Sequence, residues 1–292
     1  MENPDFSDFT IAVAGLGLIG GSYAMALKKL NPREICGIDK DEATLEKALR
    51  EGVIDRGSIN AADILKDADL VVIALYPEEA VGFIKNNMSS FKRQAVITDT
   101  CGIKMGIIEE VHSFLPQDMD FIGGHPMAGK ETKGLQSADS DLFRDANYII
   151  TPVERNKERN VELICRIAEG IGCKNVVSIT PEEHDRIISF TSQLPHVIAV
   201  SLMNSGNAEG DLALFTGGSF KDATRVASIN SILWSQLFTL NSDNLIDEIE
   251  KFEENIKTIK MAIRSEDKNA LEDIFNCAAL NKRKMMVLNE RA

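Results

Sequence analysis

The chain has 292 residues, of which 44% are hydrophobic and 26% charged, with a formal net charge of −13. Those proportions are globular, and the length fits two domains of roughly 100–200 residues each. No apolar run reaches the roughly 20 residues that a membrane-spanning helix needs, and the acidic balance argues against nucleic acid or an anionic membrane as partner. Any anionic small molecule must therefore be met by a local basic site. The start, Met1-Glu2-Asn3-Pro4-Asp5, has no basic stretch leading into a short apolar one, so no secretory signal is read there and a cytoplasmic location is expected. Five cysteines (Cys36, Cys101, Cys165, Cys173, Cys277) form no C-x-x-C pair and are odd in number. They fit free thiols better than a disulfide framework or a zinc site, and no metal is expected.

Taken in order, residues 10–14 read as the first buried strand, short, apolar and β-branched. Gly15-Leu16-Gly17-Leu18-Ile19-Gly20 follows it and opens a predicted helix over 18–30. Gly15 permits the tight turn, Gly17 lets the backbone approach a pyrophosphate, and Gly20 allows the helix to pack close on the strand. Leu18 and Ile19 begin the helix, whose free N–H groups and partial positive charge suit phosphates. A second strand over 34–39 ends on Asp39, about 20 residues beyond the glycines. A carboxylate there accepts hydrogen bonds from ribose hydroxyls and repels a 2′-phosphate, which selects NAD over NADP.

Helices are predicted over 41–51, 77–87 and 104–114, with Pro77 placed at a first helical turn, and strands over 70–74, 95–98 and 121–124. Strands alternating with helices imply a Rossmann-type, doubly wound parallel sheet. A strand over 147–151, a helix near 160–170 and a strand over 175–178 close this domain, assigned to residues 1–178. Gly123-Gly124-His125-Pro126-Met127-Ala128-Gly129 ends the fifth strand of this reading, at the carboxyl edge where open α/β sheets bind ligands. Held between glycines and a proline, His125 is a candidate general base for a substrate hydroxyl.

Beyond Thr180-Pro181 the texture turns helical, over 181–204, 233–241 and 245–263, with no convincing strand. Residues 179–292 are therefore assigned to an all-helical C-terminal domain. Leu245, Ile249, Phe252, Ile256, Ile259 and Ile263 step by fours and threes along one helix face, which suits either a core contact or a subunit interface. In Ser192-Gln193-Leu194-Pro195-His196 a proline interrupts a helical pattern, at a cost of about 3 kcal/mol unless offset. Such kinks often mark sites, and His196 is a candidate to reach a substrate. Phe220-Lys221-Asp222-Ala223-Thr224-Arg225 follows Gly217-Gly218-Ser219, and Arg225 has the planar fork that holds a carboxylate by two parallel hydrogen bonds. His112 is expected on a solvated helix face. His184, within Glu182-Glu183-His184-Asp185, is expected to cap a helix or face a domain boundary, and neither is given a chemical role.

Together these segments resemble the prephenate dehydrogenase family of the tyrosine pathway. The resemblance is carried by the glycine turn with Gly21-Ser22, by Asp99 to Lys104, the His125 segment, Leu142-Phe143, His184-Asp185, Leu194-Pro195-His196 and the Phe220–Arg225 segment, in this order. It implies a dinucleotide-binding domain and a helical domain that forms a homodimer, which tilts the isoleucine-rich stripe toward an intersubunit contact. It also implies the reaction. Prephenate is a cyclohexadienol bearing a ring carboxylate and a pyruvyl side chain; NAD takes hydride from the carbinol carbon while His125 takes the hydroxyl proton. Loss of the ring carboxylate as carbon dioxide then leaves 4-hydroxyphenylpyruvate. Arg225 is implied to bind a substrate carboxylate, with His196 helping to hold the substrate. Glu131, just past the His125 segment, is placed at the pocket mouth, where it bears on the choice between prephenate and arogenate. Many family members carry a serine where this chain has Gly102, so that role passes to water, backbone, Thr100 or Cys101. Arogenate dehydrogenase or a dual-specificity enzyme is the alternative, and a non-catalytic NAD-binding sensor a more distant one.

Overall fold

The computed structural model describes residues 6–206 and 212–289. The chain divides into two compact units, Met1–Asn241 and Ser242–Ala292. The larger begins with β1 (Thr10–Ala14), α1 (Leu18–Leu27), β2 (Glu34–Ile38), α2 (Glu42–Arg50), β3 (Arg56–Ser58), α3 (Ala62–Leu65), β4 (Leu70–Ile73) and α4 (Pro77–Asn86). It continues with β5 (Val96–Asp99), α5 (Met105–Phe114), β6 (Asp120–Pro126), β7 (Asn147–Thr151), α6 (Glu158–Gly170) and β8 (Asn175–Ser178), and then with α7 (Pro181–Ile188), α8 (Leu194–Ser205), α9 (Gly218–Thr224) and α10 (Ser231–Leu240). Helices α11 (Ser242–Arg264) and α12 (Lys268–Asn289) form the smaller unit.

The eight strands form one sheet in the order β3-β2-β1-β4-β5-β6-β7-β8. Strands β1, β4 and β5 are buried along their whole length, as expected of short apolar strands covered on both faces. From β1 the chain winds outward through β2 and β3, then returns to place β4 on the other side of β1 and winds the opposite way. The switch point between β1 and β4 is where such sheets open a ligand crevice at their carboxyl edge. One core layer packs α1 and α6 against one face of the sheet, with Tyr23, Phe143 and Tyr148 among its residues. The other layer packs α4 and α5 against the opposite face, and α10 joins it through Leu237 and Trp234.

Two details depart from the expected doubly wound pattern. Strands β6 and β7 are antiparallel, pairing Gly123 with Thr151 and His125 with Ile149. No α-helix separates them, and an antiparallel neighbour needs none, whereas a parallel one requires a crossover. Helix α1 also stops three residues short of the expected 30. Its last turn tightens into a 3-10 turn at Lys28–Leu30, and Asn31 then adopts the left-handed conformation (φ 54°) that commonly ends helices.

The long helix expected over 181–204 is present as α7 and α8, joined by a wide π-type turn at Ser189–Gln193. Pro195 has no N–H to donate and its ring crowds the carbonyl one turn back; widening the preceding turn accommodates both. The turn is pinned by buried side-chain amides. Gln193 Nε2 donates to the Leu237 carbonyl at 3.0 Å, and Asn241 Nδ2 donates to the Asp185 carbonyl at 2.9 Å and to Gln193 Oε1 at 2.8 Å. These bonds tie α7, the wide turn and α10 into one block.

Helices α11 and α12 make a helical hairpin, with the Asp267 carboxylate accepting from Ala270 N at the start of the second helix (3.0 Å). Of the stripe on α11, Leu245 is buried, Ile249, Phe252 and Ile259 are half-buried, and Ile256 and Ile263 are exposed. Among the described residues no helix is long and apolar enough to cross a membrane.

Candidate active site

The glycine turn lies at the carboxyl end of β1, beside the end of β4. Gly15 has φ +88°, and a Cβ there would stand 2.5 Å from the Ala74 carbonyl oxygen. At Gly20 a Cβ would collide with the Gly15 carbonyl, so α1 approaches β1 as closely as a backbone allows. Gly17, by contrast, faces open space, with nothing within 4 Å of where a Cβ would sit. That is the side a pyrophosphate would occupy. No acidic residue stands in the first turn of α1, which leaves its partial positive charge uncancelled.

Asp39 directly follows β2. One carboxylate oxygen accepts from Leu16 N at 2.7 Å and the other from Asp41 N at 2.9 Å. The side chain is thus fixed beside the glycine turn and half-exposed, with lone pairs left for a ribose diol. The neighbouring cation, Lys40, is paired with Glu79 at 3.1 Å. These residues fit a dinucleotide whose adenosine ribose carries no phosphate. Replacing Asp39 with alanine is expected to lower the NAD-to-NADP ratio of kcat/KM about tenfold or more, since a charge-assisted hydrogen bond and a charge repulsion are lost together. An unchanged ratio in steady-state assays with the two cofactors would show that the ribose is read elsewhere.

Three strands over, His125 lies near the end of β6, its backbone paired to β7. Its Nδ1 is 2.9 Å from His184 Nε2, and His184 Nδ1 is 2.7 Å from Asp185 Oδ1. Asp185 in turn accepts from the backbone N–H groups of Lys104 (2.9 Å) and Met105 (2.8 Å) at the start of α5. Burial, with help from His184 and the Lys104 ammonium, holds His125 well below the usual imidazole range. Burial likewise lowers His184, against the raising pull of its bond to Asp185. Both rings are therefore held neutral at neutral pH, the form in which an imidazole can accept a proton.

Sequence reasoning gave His184 no role. Its acidic neighbours resemble a solvated helix start, and Thr180 does cap α7 by accepting from Glu183 N at 3.2 Å. Yet the ring is fully buried and meets a partner 59 residues away. His112, expected to be solvated, is half-buried, with Nε2 3.1 Å from the Phe121 carbonyl.

Beneath His125 is a buried ion pair between Lys104 Nζ and Asp99 Oδ2, both side chains essentially without solvent exposure. Asp99 also accepts from Cys101 N (3.0 Å) and Gly124 N (3.1 Å), so this carboxylate sets the spacing between the end of β5 and the strand that carries His125. The outer edge of the imidazole faces Gly102, where a Cβ would lie 3.7 Å from both Nε2 and Cε1. A Cβ would fit there at ordinary contact distance, beside Leu237, so Gly102 adds no side chain of its own against the Nε2 edge. The nearby Thr100 hydroxyl and Cys101 thiol donate instead to the carbonyls of Ile73 and Leu75, each at 3.5 Å.

His196 stacks on Trp234, ring centroids 3.6 Å apart, and donates from Nδ1 to the Ser192 carbonyl at 2.8 Å. Arg225 and Glu131 are paired at 2.5 Å, both well exposed, and both bear electrostatically on His196. Helix α10 links the two groups: Trp234 covers His196, and Leu237, three residues on and so on the same face, covers Gly102. The result is a neutral imidazole at one end and an arginine at the other.

A family model described as the prephenate dehydrogenase nucleotide-binding domain matches residues 23–177, and one described as the prephenate dehydrogenase dimerization domain matches residues 180–277. The chain is 34% identical to a prephenate dehydrogenase of Bacillus subtilis, over 92% of this chain and 74% of that one. It is 32% identical to a cyclohexadienyl dehydrogenase of Zymomonas mobilis, over 91% of this chain and 92% of that one. Among solved structures, a prephenate dehydrogenase of Aquifex aeolicus in complex with hydroxyphenyl propionate and NAD+ superposes with a TM-score of 0.86 at 27% identity, covering 97% of this chain and 100% of that one.

Proposed function

The chain belongs to the prephenate dehydrogenase family, and from that premise we propose that it oxidises prephenate with NAD to 4-hydroxyphenylpyruvate and carbon dioxide, with His125 as the general base. The observation that carries the reading is the His125 imidazole, neutral, anchored through Nδ1 on one edge and bordered on the other by a glycine, at the same sheet edge as the glycine turn.

Gly15, Gly17, Gly20 and the first N–H groups of α1, at Leu18 and Ile19, receive the pyrophosphate, and Asp39 receives the ribose. Bound NAD supplies a hydride acceptor. His125 takes the proton of the ring hydroxyl as the carbinol C–H bond gives up its electron pair, leaving a ring ketone. Departure of the ring carboxylate as carbon dioxide returns its bonding electrons to the ring, and the oxygen recovers a proton. The gain in aromaticity drives this last step, so the protein has mainly to position the reactants and remove the first proton.

Arg225 binds a substrate carboxylate and His196 lines the same space. Because Glu131 already holds the Arg225 fork, the substrate competes with an internal carboxylate. Arg225→Ala is expected to raise KM for prephenate, with loss of about 1.5–3 kcal/mol of binding for one charged contact. An unchanged KM in the same assay would remove Arg225 from the substrate site. Within this reading residues 1–178 bind the nucleotide and 179–292 supply substrate contacts and a homodimer interface. The exposed Ile256, Ile263, Phe275 and Leu280 of the hairpin suit burial against a second copy. The five free thiols suit the cytoplasm.

A second reading, arogenate as substrate, is favoured by the similarity to a cyclohexadienyl dehydrogenase. Absorbance of NADH formed with prephenate and, separately, with arogenate decides between them. Binding of NAD without turnover of either would overturn both.

A further inference from the structure

With both rings neutral, the chain of hydrogen bonds behind His125 has only one arrangement of protons that satisfies every link. It begins at Asp185, whose two carboxylate oxygens accept the backbone N–H groups of Lys104 and Met105. An ionised carboxylate has no proton to give, so at 2.7 Å the His184 Nδ1 must be the donor; the other tautomer would set two lone pairs against each other. A neutral His184 protonated at Nδ1 presents a lone pair at Nε2. At 2.9 Å that lone pair can be met only by a proton on His125 Nδ1. His125 is then unprotonated at Nε2, the atom that faces Gly102.

We propose that His184 and Asp185 are positioning residues that lock His125 in its Nδ1-protonated tautomer, so that the free lone pair of Nε2 is the one presented to the substrate hydroxyl. The proposal deepens the reading of His125 as base and rests on it. Asp185 serves as the anchor because it is itself tied to the first turn of α5 rather than to a mobile side chain. The charged groups around the pair are Lys104 just ahead of α5, Asp99 from β5 and Asp185 from α7. Burial and Lys104 disfavour protonation of His184, whereas Asp185 and Asp99 favour it, and the balance leaves it lowered. This balance matters. A doubly protonated His184 would donate from Nε2, force His125 to accept at Nδ1, and put the proton of His125 on the wrong nitrogen.

The tautomer is directly measurable because the chain has four histidines: His112, His125, His184 and His196. Long-range 1H–15N correlation spectra of the [15N]histidine-labelled, NAD-loaded protein at neutral pH are expected to show His125 and His184 both protonated at Nδ1, with the His125 signals identified by their loss in His125→Asn. A His125 protonated at Nε2, or an even mixture, would overturn the proposal. The spectrum is independent of whether prephenate is turned over, so its outcome is separable from that of the functional reading.

Two substitutions add a kinetic test. In His184→Gln the amide NH2 faces Asp185 and the carbonyl oxygen accepts from His125 Nδ1, so the tautomer is kept. In His184→Leu nothing holds it. The expected losses in kcat are about tenfold for glutamine and about 10²–10⁴-fold for leucine, the range for removing a correctly poised base. KM for prephenate and affinity for NAD should stay within about threefold in both. Equal losses in the two variants, or a leucine variant impaired only in KM, would contradict a role in fixing the tautomer.

Discussion

Asparagine at position 125 is expected to lower kcat with prephenate by about 10²–10⁴-fold while leaving the dissociation constant for NAD nearly unchanged. The two readouts separate because the residues proposed for the cofactor lie just past the ends of β1 and β2 and in the first turn of α1, whereas His125 stands on β6, and asparagine preserves the strand pairing to β7. The amide can still meet His184 but cannot take a proton. Stopped-flow turnover and calorimetric titration with NAD measure the two quantities, and a variant that keeps more than a tenth of wild-type kcat would remove His125 as base. The pH profile carries the same signature. Since burial, His184 and Lys104 lower the pKa of His125, its imidazole stays unprotonated below the ordinary imidazole value. The acid limb of kcat/KM is therefore expected well below pH 6.5. The linkage to stability has a definite sign: as pH falls below about 6.5, the unfolded chain takes up a proton at this residue and the folded chain does not. The stability this histidine contributes is thus complete above that pH and is lost progressively below it.

Lys104→Met is expected to be the most damaging single change to the fold of the site, costing about 3–5 kcal/mol in urea unfolding, the range for leaving one member of a buried ion pair unpaired. The Asp99 carboxylate would keep the two backbone N–H groups of Cys101 and Gly124 but lose the cation paired with it, in a place with almost no access to water. Replacing both partners, with Asp99→Asn added to Lys104→Met, should recover much of the loss, because a neutral amide has far less hydration to forfeit. The activity profile should shift too. Lys104 lowers both active-site histidines, so its removal should move the acid limb of kcat/KM upward in whatever folded protein remains. A loss below about 1 kcal/mol in the single variant would mean that water reaches Asp99 and the pair is not truly buried.

How much of this could be read from the chain depends on whether each signal was local. The central strands are short apolar runs bounded by turn residues, and β1, β7 and β8 fall where those runs begin and end. Strand β3 was missed because Arg56, Gly57 and Ser58 are half-buried at the edge of the sheet, pair on one side only, and carry no apolar alternation. Helix α12 was missed for a related reason: its residues are largely exposed, so little selects a regular apolar stripe. The parallel direction of the other strands follows from their alternation with helices, but the reversal at β7 was not legible, since β7 reads the same whether parallel or antiparallel. Within the site, the glycine turn and Asp39 form a compact local pattern, and the structure sets them side by side. His184 was passed over because what it does depends on a ring brought to it by a different strand, and Lys104 because nothing in its neighbours announces Asp99 as its partner. The proline at 195 marked a disturbance correctly, but not the form that the backbone takes to absorb it.

The wide turn at Ser189–Gln193 amounts to one residue inserted into an otherwise continuous helix, and an insertion changes helical phase. Each added residue turns everything downstream by about 100°. The direction in which His196 meets Trp234 is thus a matter of register, settled two turns earlier and not by the histidine itself. Deleting a single position from this stretch would leave composition and hydrophobicity almost untouched, yet it would swing the ring to another side of the helix. Length here is as much a part of the site as any functional group.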